Sequence, residues 1–168
     1  MIGEKSVRYR KGDPEYGQSP TEGFDCSGFV RYVLLKAGLV IPDYIGADNL
    51  RRPIRHANEF WDHYGVAAHA GQQQPGDLLF FSRQGFFPTH VGIVYGAASY
   101  IHAPGRDGTY VAIESLEEAD IPNRTDGQHV LYMMNPIGYK ALTIVLESPS
   151  YRHHQRPIEP LGYNSSEA

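Results

Sequence analysis

Apolar residues recur with two different periods along this chain, and the change falls near residue 75. In the segment 25–38, Val30, Val33, Leu34 and Ala37 fall on one face of a helix with 3.6 residues per turn. Asp25 supplies a side-chain acceptor suited to capping the start, and Gly38 suits the end. The spacing therefore predicts a helix here. Residues 41–74 are patterned less clearly, because Pro42 and Pro53 break the early part. Ile54, Phe60, Trp61 and Tyr64 give a second helix over 54–64 its apolar side. The stretch Gln72-Gln73-Gln74-Pro75-Gly76-Asp77 then reads as a turn, which Asp77 shapes.

Beyond that turn the pattern is that of strands. Short apolar runs at 78–82, 91–95, 100–103, 110–114 and 130–135 are each bounded by Gly, Pro or Asp, and 141–146 reads as a sixth. The links between them are short, which favours antiparallel pairing. Residues 1–24 are rich in Gly, Pro and charge and read as an extended, loop-like arm. From Tyr151 the chain is polar and contains Pro, as a loose end or an arm for a partner protein would be. Helices first and strands later is the α+β pattern. The expected organisation is one domain over 1–150 with a polar tail over 151–168.

Composition narrows the function classes. The 168 residues fit one domain, and 41% hydrophobic with 20% charged residues marks a globular chain. Twelve Tyr and seven Phe favour a sheet over a helical bundle. The net charge of -4 and the lack of any basic block longer than a pair of residues give nucleic acid no electrostatic footprint. No apolar run approaches the length of a membrane span, and residues 1–13 lack the apolar core of a secretory leader.

A single cysteine excludes an intramolecular disulfide and a cysteine-based zinc cluster. Eight histidines are present, but without H-E-x-x-H or close His/Cys spacing, so neither metal nor cofactor is expected. Cys26 lies at the first turn of the expected helix. The free amides there carry partial positive charge, which lowers a thiol pKa and can hold an oxyanion. Flanking Ser27 and Gly28 are small and leave access. From position alone, a buried structural cysteine is an equal alternative.

A thiol nucleophile needs an imidazole partner, oriented by a third group. His90 opens the run His90-Val91-Gly92-Ile93-Val94-Tyr95, and His102 lies in Ser99-Tyr100-Ile101-His102-Ala103. If Gly96-Ala97-Ala98 forms a three-residue hairpin loop, Tyr95 faces Ser99 and His102 sits opposite Gly92. His90 and His102 then share a face on a diagonal, with Gly92 leaving the gap between them empty. Either histidine alone reads equally as a half-buried strand residue. His56, His63, His69, His129, His153 and His154 have no comparable setting and are assigned to the surface or to packing.

Four blocks, in order over roughly residues 23–104, resemble the NlpC family of bacterial cell-wall peptidases. Gly23-Phe24-Asp25-Cys26-Ser27-Gly28-Phe29-Val30 is similar to its nucleophile motif. Pro75-Gly76-Asp77-Leu78-Leu79-Phe80-Phe81 is similar to the start of its first sheet strand. Thr89-His90-Val91-Gly92-Ile93-Val94-Tyr95-Gly96 resembles its histidine strand, and Tyr100-Ile101-His102-Ala103-Pro104 the strand of its third residue. The resemblance implies a papain-like α+β fold with a Cys-bearing helix packed on a small antiparallel sheet. It implies hydrolysis of an amide in the peptide stem of peptidoglycan, usually γ-D-glutamyl to diaminopimelate or L-lysine. Cys26 would attack, His90 would act as base and then acid, and His102 would orient His90. Asp25 and Ser27 would flank the nucleophile, with Asp25 as its cap, and a Tyr upstream would assist the oxyanion.

For that Tyr the candidate is Tyr9, with Tyr16 as rival, although the glycine pair and the Trp of the family's segment are absent. The stretch before Pro75 is longer than the family's, and Trp61 within it is expected to reshape the substrate groove. The family is usually exported. Without a leader in view, the expectation extends to the cytoplasm or to delivery by other machinery. Two other classes stay open: a papain-like amidase or acyltransferase with another amide or lipid substrate, and an inactive module that binds wall peptides. The Cys-before-His order speaks against the permuted acyltransferases, and the presence of both residues against the inactive module.

Overall fold

The structure is a computed structural model, and it describes residues 1–11, 13, 15–82, 87–116 and 135–141. Helix α1 covers Cys26–Lys36. Asp25 is its cap: the backbone there is extended, and the carboxylate accepts the Gly28 amide at 2.8 Å. At the far end Gly38 takes a φ of +77°, a left-handed conformation that glycine adopts without strain. The Gly38 and Leu39 amides donate to the Leu35 and Leu34 carbonyls, both at 3.0 Å, which closes the helix in the Schellman pattern. The buried stripe differs from the expected one. Ser27 to Val30 and Leu34 are buried, while Val33 is half-buried and Ala37 exposed. The first two turns meet the sheet, and the last turn stands clear of it.

Helix α2 is shorter than the apolar pattern suggested, Ala57–His63. Glu59 fixes its start by accepting the amides of Arg55 and His56 at 2.7 and 2.9 Å. Ile54 precedes the helix and is nevertheless fully buried.

The strands are β1 (Lys5–Ser6), β2 (Gln18–Ser19), β3 (Gly23–Phe24), β4 (Asp43–Ile45), β5 (Arg51–Pro53), β6 (Val66–Ala68), β7 (Leu78–Ser82), β8 (His90–Gly96), β9 (Ser99–His102), β10 (Thr109–Tyr110), β11 (Ala112–Ser115) and β12 (Asn135–Ala141). The main sheet runs β11-β9-β8-β7-β12-β6 with every neighbouring pair antiparallel. One face of it carries Leu78, Phe80, Val91 and Ile93, which pack with Phe29, Val30 and Leu34 of α1 and Phe60 of α2. Each such side chain contributes about 1.5–3 kcal/mol on burial. The opposite face holds a smaller cluster of Leu79, Phe81, Val94 and Tyr100. The fold is α+β, as the order of patterns implied. Among the described residues no helix is long and apolar enough to cross a membrane.

Two expectations are corrected. Residues 1–24 are not a loose arm: β1, β2 and β3 form a sheet in the order β10-β1-β3-β2, with Ser6, Val7 and Phe24 fully buried. Strands of two residues are too short to show a period. The run at 110–114 is divided at Val111 between two sheets, β10 joining β1 and β11 joining β9. Of the runs expected at 130–135 and 141–146, the inner ends fall on β12. The remainder of both runs, the tail from 151, and His129, His153 and His154 lie outside the described residues.

Candidate active site

Cys26 is the first residue of α1 and is partly exposed. Its sulfur receives backbone hydrogen bonds from Val91 of β8 and from Ser27. The helix start is thereby held one residue along the chain from His90. Burial pushes the Cys26 thiol from an ordinary 9.0 up to about 11, and the Asp25 carboxylate adds to the rise. The Val91 and Ser27 amides and the Arg55 guanidinium pull the other way without prevailing. The expected lowering by the helix terminus is therefore outweighed, because the sulfur is desolvated and has an anion beside it.

The histidines come together. In the β8–β9 hairpin Ile93 faces Ile101 and Val94 faces Tyr100, but Gly96, not Tyr95, faces Ser99. Tyr95 is bulged out and the loop is two residues, Ala97 and Ala98. The two departures cancel, so the same register carried one residue further sets His102 beside Gly92. A Cβ on Gly92 would lie 3.2 Å from that of His102 and 3.1 Å from the Ile101 carbonyl oxygen. Across this gap His90 Nε2 and His102 Nδ1 are 2.7 Å apart. The rings stand edge to face at 4.9 Å, with Phe81 against His90 and Tyr100 against His102. Both imidazoles are buried.

Asp25 and Ser27 are buried, and their polar atoms are engaged within the protein. Arg55 donates to Asp25 Oδ1 and Oδ2 at 3.0 and 2.5 Å, to Ser27 Oγ at 3.0 Å and to the Tyr16 carbonyl at 2.8 Å. A bidentate guanidinium is what a buried carboxylate needs. Tyr9 lies at the flank of this cluster, with its ring 5.3 Å from the Arg55 guanidinium and edge-on to His56 at 4.9 Å. The Tyr16 ring is covered by the Arg10 guanidinium at 3.7 Å.

The remaining described histidines and Asp77 have ordinary surroundings. His63 stacks on Tyr44 at 4.4 Å, and His69 is exposed. Asp77 caps its turn by accepting the Gln74 amide at 2.8 Å. Trp61 is partly buried and packs edge-on to Phe80 at 5.1 Å, and against Gly138 and the core cluster. Among the described residues no group of three or more His, Cys, Asp and Glu is placed to hold a metal ion.

Two residues escaped the sequence reading. Arg55 adjoins a poorly patterned stretch, and only the need of a buried Asp25 for a cation points to it. Glu114 of β11 reads as an ordinary strand residue, yet its Oε1 is 3.3 Å from His102 Nε2 and its Oε2 accepts the Tyr100 hydroxyl at 2.9 Å.

Residues 9–129 match the family model described as the NlpC/P60 family. The chain is 38% identical over 105 residues to the murein DD-endopeptidase MepH of Escherichia coli strain K12, covering 61% of this chain and 34% of that protein. It is 31% identical over 98 residues to the gamma-DL-glutamyl hydrolase of Bacillus subtilis strain 168, covering 56% of this chain and 21% of the relative. The chain thus spans between about a fifth and a third of these relatives' length. The NlpC/p60 domain of the peptidoglycan hydrolase SagA is a structural neighbour, with a TM-score of 0.54, 27% identity and coverage of 84% of this chain and 89% of that one.

Proposed function

Because the chain belongs to the NlpC/P60 family, we propose that it is a cysteine peptidase acting on the peptide stem of peptidoglycan, with Cys26, His90 and His102 as its reacting and orienting groups. The reading is carried by the 2.7 Å contact of His90 with His102, next along the chain from the amide that holds the Cys26 sulfur.

The thiol, pushed up to about 11 by burial and by Asp25, rests protonated in these surroundings, so the attack needs a base at the moment of reaction. His90 takes the proton from Sγ as sulfur adds to the scissile carbonyl. The Cys26 backbone amide and the Tyr9 hydroxyl stabilise the oxyanion. His90 then protonates the leaving amine, which departs and leaves a thioester on Cys26. Water, deprotonated by His90, hydrolyses the thioester and restores the thiol. His102 holds the His90 ring in one orientation throughout. Arg55, bound to both Asp25 and Ser27, fixes the two residues on either side of the nucleophile.

The bond is proposed to be γ-D-glutamyl to diaminopimelate or L-lysine. One relative's name speaks of a gamma-DL-glutamyl linkage and another's of a DD linkage. The test is incubation of an L-Ala-γ-D-Glu-diaminopimelate stem peptide, and of intact peptidoglycan, with the wild type and with Cys26→Ala. Free diaminopimelate from the wild type alone supports the proposal. Cleavage only at a D,D cross-link would move the bond and keep the nucleophile. No cleavage of either substrate would overturn the reading.

A further inference from the structure

We infer that Glu114 is a positioning residue for this reaction, setting the proton arrangement of the His102–His90 pair so that His90 Nδ1 is bare and able to accept the thiol proton. The inference rests on the roles proposed above for Cys26 and His90.

The sheet register places the groups. β11 pairs with β9 so that Ala112 faces His102 and Glu114 faces Tyr100. Facing residues project to one side of an antiparallel sheet, so all four side chains share a face. Ala112 is small and leaves room for Glu114 to lean across toward His102, much as Gly92 leaves room for His90 on the other flank. The Tyr100 hydroxyl donates to Glu114 Oε2 at 2.9 Å and anchors the carboxylate. Oε1 then stands 3.3 Å from His102 Nε2.

That nitrogen is the informative atom. His102 is fully buried, and among the described residues no acceptor bonds its Nε2 in hydrogen-bond geometry. A buried ring nitrogen without a partner is rare and calls for one. Glu114 offers a carboxylate at ion-pair distance, off the line of a closed hydrogen bond. Such bonds are commonly loose in active sites until substrate is bound.

The proton positions follow in order. A carboxylate accepts only, so it selects the His102 tautomer with hydrogen on Nε2. His102 Nδ1 is then an acceptor. It faces His90 Nε2 at 2.7 Å, so His90 carries its hydrogen on Nε2. His90 Nδ1 is left bare. When the Cys26 proton moves to Nδ1, His90 becomes an imidazolium whose Nε2 hydrogen stays bonded to His102. Glu114 remains ionised and receives no proton, and its negative charge favours the cation one ring away. In the reverse arrangement, hydrogen on His102 Nδ1 requires a bare His90 Nε2 and a protonated His90 Nδ1, which cannot act as base.

The test is the tautomeric state of both rings in the full chain labelled with 15N-histidine, since 15N shifts separate a protonated from a bare ring nitrogen. In the wild type at neutral pH, His90 and His102 are expected to be protonated at Nε2 and bare at Nδ1. Glu114→Leu, which keeps bulk without an acceptor, is expected to move His102 toward the Nδ1-protonated form. It should also lower kcat at least tenfold, with KM within twofold. Glu114→Gln, which keeps an acceptor oxygen, should restore the wild-type pattern and most of kcat. A wild-type His102 protonated on Nδ1 or on both nitrogens would overturn the inference, as would an unchanged pattern in Glu114→Leu. The wild-type spectrum decides even where the variant folds poorly. If no stem peptide is cleaved by the wild type, the functional reading fails while the spectrum still decides the role of Glu114.

Discussion

Cys26 sits between opposing influences, and their balance explains why its sequence position misled. A helix N-terminus argues for a thiolate. Burial and the Asp25 carboxylate argue for a thiol, and they win. It follows that His90→Ala, which removes the base and leaves those influences in place, should ionise at Cys26 only in the alkaline range near 11, read from thiolate absorbance against pH. Its alkylation at neutral pH should be correspondingly slow. The same shift has a consequence for stability. The folded-state pKa is raised above the unfolded one, so the contribution is fully present below about pH 9 and is lost as pH rises toward 11. Relative to Cys26→Ala, the wild type should lose on the order of 2 kcal/mol over that window, measured by denaturant unfolding at stepped pH. Arg55 is the other residue whose weight the sequence hid. Its ion pair with Asp25 is buried on both sides. Arg55→Met leaves an uncompensated carboxylate and should cost about 3–5 kcal/mol, whereas the double variant Arg55→Met with Asp25→Asn should recover much of it. The meeting of His90 and His102 was legible because each lies in a run with its own spacing, and the place of Cys26 because it opens a capped helix. Arg55 and Glu114 were not, because each acts across the sequence through a contact that leaves no local pattern.

At the scale of elements, what was legible follows a simple physical division. α1 and strands β7, β8 and β9 are long enough to show a period and are bounded by turn residues, and their limits fell within a residue or two of those expected. The hairpin register came out right at His102 because a bulge at Tyr95 and a shorter loop offset each other. The two-residue strands of the N-terminal sheet carry no period and were missed. Gly28 tests their role. It lies inside α1, where replacing glycine by alanine ordinarily stabilises by roughly 0.5–1 kcal/mol. Here an added Cβ would run into the Gly17 carbonyl oxygen, a backbone atom just ahead of β2. Gly28→Ala should instead destabilise by about 1–3 kcal/mol, seen as a lower melting temperature. An increase would mean that the segment before β2 does not press on the helix. Gly92→Ala is the corresponding change in the sheet. Its Cβ would crowd His102 and the Ile101 carbonyl at 3.1–3.2 Å, so activity should fall by more than the modest loss of stability.

Across the whole molecule, the N-terminal residues join parts of the chain that are far apart in sequence. β1 pairs with β10 and β3, and the Ser6 hydroxyl both donates to the Phe24 carbonyl and accepts the Gly105 amide. Deleting residues 1–7 removes buried Val7 and Ser6 together with that pairing, and should lower the unfolding midpoint markedly. The fold class was legible because both described helices precede every strand of the main sheet, and the chain belongs to the NlpC/P60 family. In the proposed mechanism the sulfur of Cys26 becomes covalently bonded to the acyl half of a stem peptide. The most direct measurement is acid quench of the wild type during turnover of L-Ala-γ-D-Glu-diaminopimelate, followed by intact mass and peptide mapping. An added L-Ala-γ-D-Glu acyl group is expected on the peptide containing Cys26, absent from Cys26→Ala, which also releases no diaminopimelate. Equal turnover by Cys26→Ala, or an acyl group on any other residue, would contradict that mechanism.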